Sequence, residues 1–224
     1  LNGSFASPSA TDFTNAELFL REIYGELNDQ VFNANLSIRK FNDPYITFDF
    51  KGDLDAASIY NFYPISGVND LRGLLSADIS FEGQTSLLKK KATVQKVTTS
   101  GAIVMSDLNF GYGKQQVQFK DVNGTLQFNN QDLALSNVSG QFENSDFHLN
   151  GFFKNIITFL LFENQPIGIE TDLKSDFLDL DQLFAIGFGE EESENYQFNI
   201  SPDIQLNFNC DVKHMKYKRF TPRE

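Results

Sequence analysis

Two histidines, one cysteine and a cluster of aspartates are the residues from which chemistry could be built here, and each has a plainer structural reading. A Ser-His-Asp type nucleophile needs an imidazole base, and the chain offers only His148 and His214. His148 lies between Phe147 and Leu149, on the wet side of a strand pattern, and His214 falls in a basic stretch over residues 213–219. Asp172, Asp176, Asp179 and Asp181 would suit a hard cation or an acid–base pair by residue type. Their spacing, however, lacks the glycine and terminal glutamate of a calcium loop. An N-cap role for Asp179, with Asp53 and Asp55 playing similar parts earlier in the chain, accounts for them. Cys210 has no second cysteine to pair with. Gly111-Tyr112-Gly113 precedes no helical pattern and is not a phosphate loop. The residues therefore point away from an enzyme, with no catalytic group, metal or cofactor expected; an enzyme would require a divalent-metal site at the four aspartates.

The elements that carry these residues are dominated by alternation with period two. Ile46, Phe48 and Phe50 face one way and Thr47, Asp49 and Lys51 the other; Leu75, Ala77, Ile79 and Phe81 repeat the pattern. It continues through Val117 and Phe119, Leu126 and Phe128, Leu133 and Leu135, Phe147 and Leu149, Ile167 and Ile169, Phe198 and Ile200, and Ile204 to Cys210. This predicts about ten strands joined by Asn, Asp and Gly turns, Asn123-Gly124 and residues 129–132 among them. Short helices are expected over 56–62, over 180–186 and within 152–162, each behind an Asp or Asn. The fold class is all-β: a mainly antiparallel, meandering sheet curled into a groove or open sandwich, with two or three short helices.

Composition narrows the partners. A formal charge of −12 makes phosphate-backbone binding over the whole surface unfavourable, so nucleic acid is not expected. The lysines at 89–91 and the basic stretch at 213–219 read as solvated loops or strand ends, and the acidic run at 190–194 as a solvated excursion between strands. The longest apolar run, residues 156–162, is far short of the roughly 20 residues a membrane-spanning helix needs. Phenylalanine is the main apolar surface, with 24 Phe, 7 Tyr and no Trp. Dry strand faces of this kind must be buried, either against each other or against something greasy.

A weak internal duplication aligns residues 25–62 with 140–184. Gly25, Phe32 and Asn35 fall over Gly140, Phe147 and Asn150, and Ile46, Asp49, Lys51 and Asp53 over Ile169, Asp172, Lys174 and Asp176. A repeated strand–strand–short-helix unit stacked along an axis would produce it.

Several of these stretches resemble the AsmA-like proteins of Gram-negative envelopes. The likeness rests on the strand at 30–38, Asp43-Pro44-Tyr45 leading into Phe48-Asp49-Phe50-Lys51-Gly52-Asp53-Leu54-Asp55, and Leu71-Arg72-Gly73-Leu74-Leu75-Ser76-Ala77-Asp78 ending in Phe81-Glu82-Gly83. Val138-Ser139-Gly140 with Asn144 to Gly151 adds to it, as does the stretch 176–183. The likeness covers about residues 25–217, and its motifs are degenerate. It implies an internal segment of a longer periplasmic β-groove protein, anchored in the inner membrane by an upstream helix and similar to TamB and to eukaryotic bridge-like lipid transfer proteins. The implied function is phospholipid transport to, and assembly of, the outer membrane, with acyl chains and envelope proteins as partners. Lipid-groove candidates are then Phe48, Phe50, Ile79, Phe81, Phe119, Phe128, Phe147 and Leu149. The alternative is a closed β-sandwich serving as a binding or adhesion module.

Overall fold

In the computed structural model, residues 1–62, 64–65, 67–89, 91–113, 116–161, 166–187 and 204–218 are described. The strands are β1 (Asn2–Ala6), β2 (Glu17–Leu27), β3 (Gln30–Arg39), β4 (Tyr45–Asp55), β5 (Val68–Gln84), β6 (Thr98–Tyr112), β7 (Val117–Asn129), β8 (Asp132–Phe142), β9 (Ser145–Lys154), β10 (Ile167–Asp179) and β11 (Ile204–Lys216). They form one 11-stranded sheet in chain order, open at β1 and β11. All neighbours pair antiparallel except β10 and β11, which run parallel. The helices are short: α1 (Ala56–Phe62), α2 (Lys91–Val94), α3 (Ile156–Leu161) and α4 (Leu180–Gly187), with a 3-10 turn at Thr85–Lys89 ahead of α2.

The expected meander is therefore present, with four helices rather than two or three. Phe198, Ile200 and the acidic run at 190–194 lie outside the described residues. Two details differ from the sequence expectation. Val117 to Phe119 and Leu126 to Phe128 belong to one strand, β7, and Asn123-Gly124 is a bulge inside it rather than a hairpin turn. Both structures need a backbone that favours Asn or Gly, so the dipeptide alone does not separate them. By contrast, Asn130 and Gln131 do form the two-residue link between β7 and β8 expected at 129–132.

The bulges follow one local rule. Leu20-Arg21-Glu22-Ile23, Val68-Asn69-Asp70-Leu71, Met105-Ser106-Asp107-Leu108, Phe119-Lys120-Asp121-Val122 and Leu135-Ser136-Asn137-Val138 each place an acidic or Asn residue at φ between 50° and 52°. The extra residue shifts the alternation by one, so apolar positions on either side of it share a face. In four of the five, the N–H of the left-handed residue donates to an Asn side-chain oxygen on the neighbouring strand. The pairs are Glu22 to Asn35 (3.0 Å), Asp107 to Asn123 (3.0 Å), Asp121 to Asn109 (3.3 Å) and Asn137 to Asn150 (2.8 Å). A bulge bends its strand and increases the local twist, so a set of them across β2, β5, β6, β7 and β8 curls the sheet. Replacing Asn150 by Ala removes the acceptor of one bulge; a loss of about 1–2 kcal/mol of unfolding free energy in urea titrations is expected.

The residues matched by the internal duplication occupy corresponding places. Asn35 and Asn150 each hold a bulge, and Gly25 and Gly140 each lie opposite a phenylalanine, Phe32 and Phe147. β4 and β10 each run straight into a helix. Asp55 Oδ2 accepts the Ser58 N–H at 2.9 Å to cap α1, and Asp179 Oδ1 accepts the Asp181 N–H at 3.1 Å to cap α4.

Candidate lipid-binding face

One face of the sheet carries cross-strand polar pairs. Lys51 bridges Asp78 at 2.8 Å, Ser80 donates to Asp49 and Ser76 to Asp53, each pair being in direct register. The opposite face is apolar from β4 to the β11 edge. Register places Phe48 against Phe81 and Phe50 against Ile79; Ile79 and Phe128 both pair with Gly101 from opposite sides. The row continues from Phe128 through Leu133, Phe153 and Ile169 to Leu206 on the edge strand. Gly101 leaves a low point between Ile79 and Phe128, since no side chain rises there.

All eight candidate residues lie on this face and all are half-buried. The structure divides them into two groups. Phe119, Phe147 and Leu149 pack against a core of Ala56, Leu71, Leu108, Val122 and Val138, where α1 docks on the sheet and Tyr60 donates its hydroxyl to the Val68 carbonyl. Within that group the rings of Phe110 and Phe119 stack with centroids 4.8 Å apart, and Phe142 and Phe147 close around Phe119. Phe48, Phe50, Ile79, Phe81 and Phe128 stand outside this core. Phe32, Phe50 and Phe48 form a short ladder of stacked rings there, at 5.5 and 6.4 Å.

At the other end of the strands a second plug forms, which sequence reading missed. Val94 and Val97 are fully buried, Val97 filling the space over Gly83. The buried Gln131 side chain joins α2 to α3: its Nε2 donates to the Val94 carbonyl at 3.3 Å and its Oε1 accepts the Thr158 hydroxyl at 3.0 Å. Gln131 sits in a turn by sequence, and nothing in its type foretells burial. The open group thus lies between helix contacts at the two ends of the face.

The four aspartates considered for chemistry have structural partners. Asp176 pairs with Lys213 at 2.7 Å and Asp179, 2% exposed, with Lys216 at 2.7 Å, so the basic stretch of β11 ties the parallel edge strand to β10. Asp172 accepts from Asn209, and Asp181 accepts the Lys218 N–H. His148 contacts Asn150 at 3.4 Å, and His214 is exposed on the edge strand. Burial pushes the Cys210 thiol up and Asp211 adds to this, which disfavours the reactive thiolate. Among the described residues no group of His, Cys, Asp or Glu is arranged to hold a metal ion. No described helix is long and apolar enough to cross a membrane. No family model matches the chain, and no curated protein or solved structure matches it either.

Proposed function

We propose that this chain is a groove segment that shields phospholipid acyl chains, within a periplasmic, inner-membrane-anchored protein of AsmA-like type that serves phospholipid transport to, and assembly of, the outer membrane. It has no catalytic role, and its partners are acyl chains, the inner membrane through an upstream helix, and envelope proteins. The observation that supports this reading best is the unbroken apolar face of a single open sheet, with Phe48, Phe50, Ile79, Phe81 and Phe128 half-buried outside the helix-covered core. Acyl chains ask only for continuous apolar surface, and covering it is favourable by roughly 25 cal/mol per Å².

The test is native mass spectrometry of the purified chain with analysis of extracted lipid. Phospholipid at a defined ratio is expected, and Phe81→Asp should abolish it while circular dichroism shows the β-sheet retained. Ser80→Asp, one residue away on the polar face, should leave it unchanged. Lipid-free protein, or Phe81→Asp that still binds lipid, would turn the reading to a binding or adhesion module without lipid transfer, built on an open sheet rather than a closed sandwich.

A further inference from the structure

The polar face, opposite the apolar one, has a block of six positions where its cross-strand pairing stops. Phe152, Glu170 and Asn207 stand in direct register on β9, β10 and β11, and Lys154, Gly168 and Gln205 form the next row. The first row continues the one that begins with the Lys51–Asp78 ion pair and runs through Ala102, Gln127 and Ala134 to Phe152, which fixes the block on the polar face. One row further along, Asn209 donates to Asp172 at 2.8 Å. Within the block, the side chains of Lys154, Glu170, Gln205 and Asn207 make no hydrogen bond or ion pair among the described residues.

The block is concave. Gly168 puts no side chain at the middle of its row, and a recess of about 430 Å³ opens there, lined by all six residues among others. That size falls within the range of about 300–1,000 Å³ common for small-molecule sites. Strand spacing and the two-residue repeat give the six positions a footprint of roughly 10 Å by 7 Å. Phe152 is 39% exposed although it stands on the wet face, flanked in register by Ala134 and Glu170. Its ring is an accessible apolar wall beside four uncommitted polar side chains.

We infer that this recess binds a neutral sugar ring. A pyranose presents C–H groups on its faces and, around its rim, hydroxyls that both donate and accept. Phe152 supplies an apolar surface whose π-cloud attracts C–H groups. Glu170 accepts hydrogen bonds, Lys154 donates them, and the amides of Gln205 and Asn207 do both. The charges of Lys154 and Glu170 cancel, so the recess favours neither anion nor cation, and the net charge of −12 disfavours anions further. The same ring chemistry ends a free oligosaccharide and heads a glycolipid. The site is independent of what the apolar face carries.

Calorimetric titration of the full chain with maltotriose, cellotriose and chitotriose tests it, alongside flotation with phosphatidylcholine vesicles that do or do not carry glucosyl diacylglycerol. Saturable binding of a soluble trisaccharide assigns a free-glycan site; flotation that needs the glucosyl lipid, without soluble binding, assigns a headgroup site. In either case Phe152→Ala should weaken binding about tenfold or more and Phe152→Tyr should retain it, with the β-sheet signal intact. Gly168→Ala places a Cβ in the recess, 3.3 Å from the Lys154 Cβ, at a position whose backbone needs no glycine, and should weaken binding about tenfold. Glu170→Gln, which keeps an acceptor but loses the charge, should weaken it about threefold. Val104→Ala, exposed on the same face but outside the block, should leave it unchanged. Absence of binding to all three trisaccharides and to the glucosyl vesicles overturns the proposal, as does binding that Phe152→Ala and Gly168→Ala both leave unchanged.

Discussion

Gly101→Ala is expected to destabilise the protein by about 3–5 kcal/mol, more than any exposed substitution in the chain. Gly101 sits in β6 at φ +128°, a backbone conformation that side-chain-bearing residues rarely adopt. A Cβ placed there would come within 2.1 Å of the Asp78 carbonyl oxygen and 2.7 Å of the Ile79 Cα, both backbone atoms of the neighbouring strand. Relief would require β5 and β6 to separate where Ile79 and Phe128 face each other across the glycine. Gly113 supplies the comparison. It also has a positive φ, +74°, but nothing lies within 4 Å of its notional Cβ. Gly113→Ala should therefore cost only the backbone strain, about 1 kcal/mol. Urea denaturation of the two variants separates the effects. Equal losses would mean that the β5–β6 approach relaxes freely and that the close backbone contact carries no stability. A large loss at Gly101 alone ties the depth of the apolar face to a backbone requirement rather than to side-chain choice.

Much of this fold is legible as alternation, because a half-buried strand repeats every two residues whatever its length. Phe48, Phe50, Ile79 and Phe81 could be placed on one face from that alone, and the register then sets them side by side. What alternation hides is the bulge. At Met105-Ser106-Asp107-Leu108 the phase slips by one, and a strict count reads the slip as the end of a strand. The recurring signature, an apolar residue, one polar residue, an acidic or Asn residue and another apolar residue, carries the missing information, and it is local enough to be sought in sequence. β2 escapes period-two counting for the same reason, at Glu22. β1 escapes for a different one: all five of its residues are exposed, so no dry face exists to detect.

Pairings that depend on distant segments were not legible. β11 lies parallel to β10 with Lys213 and Lys216 reaching Asp176 and Asp179, a match that alternation in Ile204 to Cys210 does not encode. The starts of α1 and α4 were legible, since Asp55 and Asp179 are capping residues by type and by position, whereas the lysines at 89–91 read as loop or strand end and Lys89 and Lys91 belong to the 3-10 turn and α2. The candidate site divides along the same line. That its eight residues share a face is local information; that Phe119, Phe147 and Leu149 fall under the reach of α1 while the other five do not follows from where a short helix docks. Phe152, Glu170 and Asn207 are similarly invisible as a row, being set side by side only by the β9–β10 and β10–β11 registers.

Asp146 governs the second large effect, at the junction of β9 and β10. Its Oδ1 accepts the Phe177 N–H at 2.8 Å and its two oxygens accept the Asp176 N–H at 3.1 and 3.0 Å; the Ser175 hydroxyl adds a contact at 3.3 Å. These donors tie β10 to β9 beyond their last paired residues, Lys174 and His148, just ahead of the buried Asp179 and the ion pairs to β11. Burial alone would raise the Asp146 carboxyl, but the N–H groups of Asp176 and Phe177 with the Ser175 hydroxyl outweigh it and hold the group below its ordinary value. A carboxyl lowered on folding contributes stability above its unfolded value, about 3.9, and the contribution disappears as pH falls through the lower folded value. Asp146→Ala, which leaves the donors without an acceptor, should cost about 2–4 kcal/mol at pH 7. Asp146→Asn keeps one oxygen and should cost less, and its deficit against the natural chain should narrow as pH falls below about 4. Comparing the two chains pH by pH cancels the acid sensitivity of Asp12, Asp43 and Asp55, whose carboxyls are also lowered. A deficit constant from pH 7 to pH 3 would show that Asp146 acts through shape rather than charge. A narrowing one makes this carboxylate an acid-labile clasp between β9 and the end of β10, the stretch that carries the ion pairs to Lys213 and Lys216 of the edge strand.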